Sequence, residues 1–171
     1  LCEELEFNKD KPILLTALPP NFLYMKGGRP ESDFKNYEEL VYYWVKSVIN
    51  AHNFNVVVCL HPSVKYENIQ YIEDLGCKIS RQGTAELVPL CDLYVACVSS
   101  TIRWAIACGI PVINYDVYRY RYTDYVGVSG VITVEEKRDF ELVLNKITND
   151  PEFLFQKKIE QENLSAKWGF F

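Results

Sequence analysis

The sequence predicts an α/β fold: a doubly wound parallel sheet of about six strands flanked by helices. Three observations carry this. Short apolar runs alternate with amphipathic stretches of about 10–15 residues, the rhythm of βαβ crossovers. The runs, NVVVCL at 55–60 above all, are continuous and β-branched, as strands buried on both faces must be. Glycine or proline closes many of the segments.

The elements follow in order. Ile13 to Leu18 is a buried strand closed by Pro19 and Pro20, and a loop runs on to Asp33 through Gly27, Gly28 and Pro30. Tyr37 to Ala51 is a helix, because Tyr37, Leu40, Val41, Trp44, Val45 and Val48 recur every three or four residues. Asn55 to Leu60 is a strand that stops at His61-Pro62, and Lys65 to Leu75 is a helix ended by Gly76. Cys77 to Ser80 is a brief strand, and Thr84 to Cys91 a short helix with Thr84 as its N-cap. Asp92 to Val98 is a strand, and Ser99 or Ser100 caps a helix to Cys108 that Gly109 ends. Pro111 to Tyr115 is the next strand, Tyr115 to Tyr125 is part helix and part loop, and Gly130 to Val134 is a small strand. Arg138 to Thr148 is amphipathic through Phe140, Val143, Leu144 and Ile147, and Pro151 opens a final helix reaching Ala166.

With 171 residues, residues 1–171 form a single domain large enough to bury a substantial core. An apolar fraction of 49% and a charged fraction of 24% exclude a disordered chain or a coiled coil. Eighteen Lys and Arg against 23 Asp and Glu give a net charge of −5, the wrong sign for a general nucleic-acid binder. No apolar run reaches a transmembrane length of about 20 residues, and no signal peptide is visible. The cysteines at 2, 59, 77, 91, 97 and 108 form no CxxC pair, and two histidines are too few to suggest a zinc site. They read as reduced, buried thiols in a cytoplasmic protein. The chain begins at Leu1, which we read as an excised piece of something longer.

In open parallel sheets a ligand lies beyond the carboxyl ends of the strands. The candidate segments there are 19–33, 61–63, 80–84, 99–101 and 116–124. Ser99-Ser100-Thr101 follows a strand and opens a helix, where unpaired N–H groups and added hydroxyls can cradle a phosphate. The plain alternative is a helix cap. His61-Pro62-Ser63 also follows a strand, and His61 could donate to a phosphate oxygen or merely satisfy a local carbonyl. In the loop 24–30, Gly27 and Gly28 permit close backbone approach to an anion, with Lys26 or Arg29 to pair with it. This is neither a Walker A sequence nor GxGxxG. Five tyrosines and two arginines fall within the 11 residues from Tyr115 to Tyr125. They favour sugar or base stacking and anion contacts, or else a packed partner interface. Arg81, Tyr118, Arg119 and Arg121 are the further candidate sugar or anion contacts. No GxSxG or paired nucleophile and base is present, and no carboxylate pair stands out for glycoside hydrolysis.

The run CDLYVACVSSTIRWAIACGIPVINYD resembles the nucleotide-sugar-binding, C-terminal half of GT-B glycosyltransferases. There a strand ends in a Ser-rich turn, and a helix and a Gly-x-Pro-Val-Ile strand follow. His61-Pro62 together with Ser99-Ser100 is similar to the paired motifs of bacterial sialyltransferases and capsule polysaccharide enzymes, which bind the CMP part of a donor. The resemblance covers roughly residues 11–168 and implies a Rossmann-like domain. It implies that His61, Pro62, Ser63 and the Ser99–Thr101 turn hold the phosphate, that Gly27 and Gly28 approach it from the other side, and that the Ser80–Gly83 turn edges the base. Many GT-B enzymes and UDP-GlcNAc 2-epimerases carry a Glu where Trp104 stands, a departure from the UDP-sugar pattern. The family's acid/base residue belongs to an N-terminal domain, so the isolated chain is expected to bind a donor without completing transfer.

The resemblance thus implies a transferase domain for nucleotide sugars, CMP-sialic acid or a similar donor among them, in bacterial surface polysaccharide or glycan synthesis. Its partners would be a nucleotide sugar, a glycan acceptor and an N-terminal domain of the same enzyme. It would need no metal or cofactor and would work in the cytoplasm, including the inner face of the membrane. Two other readings stand beside it. One is a nucleotide-sugar epimerase-like domain. The other is a non-enzymatic Rossmann-like interaction module that docks a partner through Trp44, the tyrosine stretch and the Trp168–Phe171 tail.

Overall fold

A computed structural model of the chain describes residues 5–23, 31–60 and 70–165. Six parallel strands form one sheet: β1 Ile13–Ala17, β2 Asn55–Cys59, β3 Lys78–Ser80, β4 Leu93–Ala96, β5 Val112–Tyr115 and β6 Val131–Val134. Their spatial order is β3-β2-β1-β4-β5-β6, every neighbouring pair parallel. This is the doubly wound, Rossmann-like architecture, with its topological switch point between β1 and β4.

Strand alternation sends side chains into two cores. Leu14, Val58, Val95, Ile113 and Tyr115 face helices α1 (Tyr37–Ile49) and α5 (Lys137–Asn149). Leu15, Val57, Tyr94, Ala96 and Val112 face α3 (Thr84–Leu87) and α4 (Ile102–Ala107). A short α2 (Gln70–Glu73) and a long α6 (Pro151–Ser165) complete the helices among the described residues. With both faces covered, the central strands can be apolar throughout, which is why their sequences lack a polar alternation.

Trp44 anchors the first core. It is wholly buried, stacks on Tyr115 at 5.5 Å and on Phe140 at 5.6 Å, and its Nε1–H donates to Thr16 Oγ1 at 2.7 Å. Thr16 in turn donates to the Val95 carbonyl at 3.1 Å, so the indole N–H and the Thr16 hydroxyl are both satisfied, while the buried Tyr115 hydroxyl has no hydrogen-bond partner among the described residues. Trp44 is therefore a core residue, which removes it from the expected partner-docking surface.

Several local expectations change. Gly83, not Thr84, occupies the N-cap of α3, and a 3-10 turn over Val88–Leu90 replaces its last turn, because Pro89 cannot continue the α-helical hydrogen bonding. The 115–125 stretch holds no helix. Cys59, Cys91 and Cys97 are buried free thiols, but Cys77 is half-buried and Cys108 is exposed beyond the last turn of α4. The first part of the expected Lys65–Leu75 helix, Cys2 and the Trp168–Phe171 tail lie outside the described residues. Among the described residues no helix is long and apolar enough to cross a membrane.

Candidate functional site at the switch point

A cavity of about 770 Å³ opens beyond the carboxyl ends of the central strands. Ala17 and Leu18 border it after β1, Leu60 after β2, Gly83–Ala85 after β3, and Cys97–Thr101 after β4. Tyr118, Tyr120 and Tyr122, from the loop after β5, and Trp104, on α4, line it as well. The switch point creates this crevice because the chain leaves β1 and β4 toward opposite faces of the sheet.

The 97–101 turn is built under constraint. Val98 sits at φ +43°, a conformation that a β-branched residue adopts only at a cost of about 1–2 kcal/mol. Its N–H donates to Asn114 Oδ1 at 2.8 Å. Asn114 is a buried polar residue on β5, and its Nδ2 donates to Thr133 Oγ1 at 3.2 Å. Two tyrosines hold the rest. The Tyr94 hydroxyl shares a hydrogen bond with Thr101 Oγ1, and the Tyr125 hydroxyl donates to the Ser99 carbonyl at 3.2 Å. Ser99 Oγ accepts the Thr101 N–H at 3.3 Å and pairs with Thr101 Oγ1 at 2.7 Å. Ser100 is left exposed at the mouth.

This corrects the capping expectation. Thr101, not Ser99 or Ser100, is at the N-cap of α4, and its side chain makes no capping bond. The helix has six residues, too few for its dipole to matter much. What the strand presents to the cavity is a strained turn of hydroxyls and amides, fixed by β5 and by Tyr94 and Tyr125.

The described lining is neutral. None of its described residues is charged. Burial pushes the Cys97 thiol and the Tyr94 and Tyr118 hydroxyls well above their ordinary values, so all three stay protonated at neutral pH. Cys97 is thus no ready nucleophile. The Tyr118 hydroxyl donates to the Pro20 carbonyl and the ring packs on Phe22, which ties the loop after β1 to the loop after β5.

The two arginines of the tyrosine stretch do not line the cavity. Tyr118, Tyr120 and Tyr122 turn inward, while Arg119 and Arg121 turn outward onto the protein's own carboxylates. Arg119 lies 2.7 Å from Asp33, 3.1 Å from Glu136 and 3.7 Å from Glu31; Arg121 lies 3.1 Å from Glu135 and 3.6 Å from Glu31. Both have positive φ, at +50° and +54°. The carboxylates beside Arg119 raise the pKa of its guanidinium further. These arginines clasp the 31–33 segment to the β6–α5 junction, with Asp116 Oδ2 accepting the Arg121 N–H at 2.8 Å beneath them.

Of the site residues expected from sequence, the fold brings Ser99, Ser100, Thr101 and Tyr118 together on one cavity. Arg81 is exposed and outside the lining. Lys26, Gly27, Gly28, Arg29, His61, Pro62 and Ser63 lie outside the described residues. Sequence reasoning missed Asn114 and Tyr94. The signal was present for Asn114: an Asn within a buried strand must find a partner. Among the described residues no group of three or more His, Cys, Asp or Glu is placed to hold a metal.

No family model matches the chain, and no curated protein matches its sequence. Solved structures do match in fold. UDP-GlcNAc 2-epimerase from Neisseria meningitidis, bound to UDP-GlcNAc, aligns with a TM-score of 0.59 at 13% identity, over 88% of this chain and 39% of that one. The wall teichoic acid polymerase TagF aligns with a TM-score of 0.58 at 12% identity, over 96% of this chain and 40% of that one. The glycotransferase of kitacinnamycin aligns at 0.56 and 10% identity, over 92% and 40%. The chain thus spans about two fifths of the length of these proteins. At such identities the likeness is one of fold: this chain has the Rossmann-like α/β fold that they contain.

Proposed function

We propose that this chain is the donor-binding, C-terminal domain of a GT-B glycosyltransferase that uses a nucleotide sugar in surface polysaccharide or glycan synthesis. The observation that carries the reading is the strained, cross-braced Ser99–Thr101 turn on the switch-point cavity. A backbone held in an unfavourable conformation by three neighbouring elements is typical of sites that pre-organise donors for a ligand. Glycosyl transfer from a nucleotide sugar builds negative charge on the leaving phosphate. Fixed hydroxyl and N–H donors at the turn would stabilise that charge without reorganising. The fold neighbours, two of them named as a polymerase and a glycotransferase and one as an epimerase holding UDP-GlcNAc, support a nucleotide-sugar ligand.

In this reading His61, Pro62 and Ser63 complete the phosphate site after β2, with Gly27 and Gly28 opposite, while Gly83–Ala85 borders the base. The acceptor and the acid/base residue belong to an N-terminal domain of the same enzyme. The 2-epimerase activity is the outcome that UDP-GlcNAc turnover by the chain would support instead.

The test is calorimetric titration with CMP, UDP, CDP, GDP and their sugars, in wild type and Ser100→Asp. Ser100 is exposed, so the aspartate should change stability by no more than about 0.5 kcal/mol. A carboxylate a few ångströms from a bound phosphate should lower affinity at least tenfold, a cost of about 1.4 kcal/mol or more. Normal nucleotide binding by Ser100→Asp would remove this turn from the phosphate site.

A further inference from the structure

The cavity's lining holds an aromatic cluster besides the Ser99–Thr101 turn. Tyr120 and Tyr122 stack nearly parallel, with ring centroids 5.4 Å apart and planes 16° from one another. Tyr122 is 58% exposed and Trp104 45% exposed, yet both line the cavity. Aromatic rings of this size are normally buried, and a cluster of them left open around a crevice marks a contact surface. The stack is not loosely held. Tyr120 packs on Tyr118 and Phe22, and the clasp of Arg119 and Arg121 onto Glu31, Asp33, Glu135 and Glu136 fixes the strand of chain between the tyrosines.

We propose that this aromatic wall binds the transferred group of the donor and selects a neutral pyranose. The inference rests on the donor-binding reading above and deepens it. The order of the strands sets the assignment: among the cavity's lining residues Gly83–Ala85 follow β3, the Ser99–Thr101 turn and Trp104 follow β4, and the tyrosines follow β5. A nucleotide sugar has the same order of base, phosphate and sugar. The wall's chemistry sets the class. An aromatic face carries negative quadrupole density and attracts the C–H face of a pyranose ring. The arginines of this loop, Arg119 and Arg121, are already bound to carboxylates on its outer side. An acidic sugar would set its carboxylate against a described lining that holds no charged group.

The experiment is calorimetric titration of wild type, Tyr122→Ala and Tyr122→Phe, each checked by thermal unfolding. The probes are UDP, UDP-glucose, UDP-glucuronic acid, GDP, GDP-mannose, CDP, CDP-glucose, CMP and CMP-sialic acid. For the nucleotide that binds, the neutral hexose derivative should bind roughly two- to tenfold more tightly than the bare nucleotide, the worth of one aromatic contact. Tyr122→Ala should abolish that gain and leave the bare nucleotide's affinity unchanged, while Tyr122→Phe keeps the gain. Three results overturn the proposal: no gain from a neutral hexose, a larger gain from an acidic sugar, or an equal loss for bare nucleotide in Tyr122→Ala. Failure of every nucleotide to bind would overturn the donor-binding reading itself, and this proposal with it.

Discussion

Replacing Asn114 by alanine tests whether β5 braces the strained turn. Asn114 is 4% exposed and offers its Oδ1 to the Val98 N–H at 2.8 Å, with Thr133 Oγ1 as its other partner at 3.2 Å. Thr133 is exposed and can turn to water, so little is lost there. Val98 is half-buried, and leaving its amide unpaired costs about 1–2 kcal/mol. The φ of +43° at Val98 adds about 1–2 kcal/mol of strain that the asparagine no longer opposes, so the turn relaxes and recovers part of the loss. The net destabilisation should be about 1 kcal/mol, lowering Tm by roughly 2–4 °C for a domain of this size. Urea unfolding measures the first quantity, and hydrogen exchange at the Val98 amide reports the brace itself. Protection at that amide should fall in Asn114→Ala while core strand amides such as Val95 keep theirs relative to the global stability. A variant within about 0.5 kcal/mol of wild type, with Val98 protection intact, would refute the bracing argument.

Other substitutions probe the rest of the structure. Arg119→Ala should cost about 1–3 kcal/mol, since its guanidinium is only 10% exposed and serves Glu31, Asp33 and Glu136 at once; Arg119→Lys should recover less than half, because an ammonium cannot match that planar fork, and full rescue by lysine in urea titrations would contradict this. Stability should fall as pH rises from about 9 to about 11. Burial pushes the Cys59 and Cys77 thiols up to about 11 from 9.0, so the folded protein holds their protons where the unfolded chain releases them. The loss from Cys59 alone is about 2–3 kcal/mol, and an unfolding midpoint flat across pH 9–11 would count against it. Gln161 is fully buried in α6, and its side-chain oxygen and nitrogen have no hydrogen-bond partner among the described residues. Gln161→Met should therefore stabilise by about 1–3 kcal/mol, read as a higher urea midpoint. Gly130→Ala should destabilise, because its Cβ would fall 2.5 Å from Gln161 Cβ and force α6 outward; an unchanged Tm would show that α6 yields freely.

The sequence by itself determined the sheet and its helices. Continuous β-branched runs such as NVVVC are stable only when both faces are covered, and the amphipathic stretches between them supply the covering. Asn36 also shows how local chemistry settles a boundary, since its Oδ1 accepts the Glu39 N–H at 2.8 Å and starts α1. The Ser99–Thr101 turn could be placed on the ligand edge because strand ends in parallel sheets are positions in sequence as well as in space. The tertiary structure decided what the tyrosines and arginines do. Composition alone made 115–125 sticky and basic, and either residue type could have faced a ligand. Alternate side chains there point to opposite sides, and residues far away in sequence settle which side is which. Glu31, Asp33, Glu135 and Glu136 draw Arg119 and Arg121 outward, and the crevice beside Trp104 receives the rings. Trp44 shows the same limit, since a lone tryptophan on a helix reads equally as core or interface until the stack with Tyr115 and Phe140 forms around it. Pairings across about 15 to about 100 residues of chain, such as Val98 with Asn114 or Arg119 with Asp33, leave no local signature, because each partner is chosen by the fold that brings the two together.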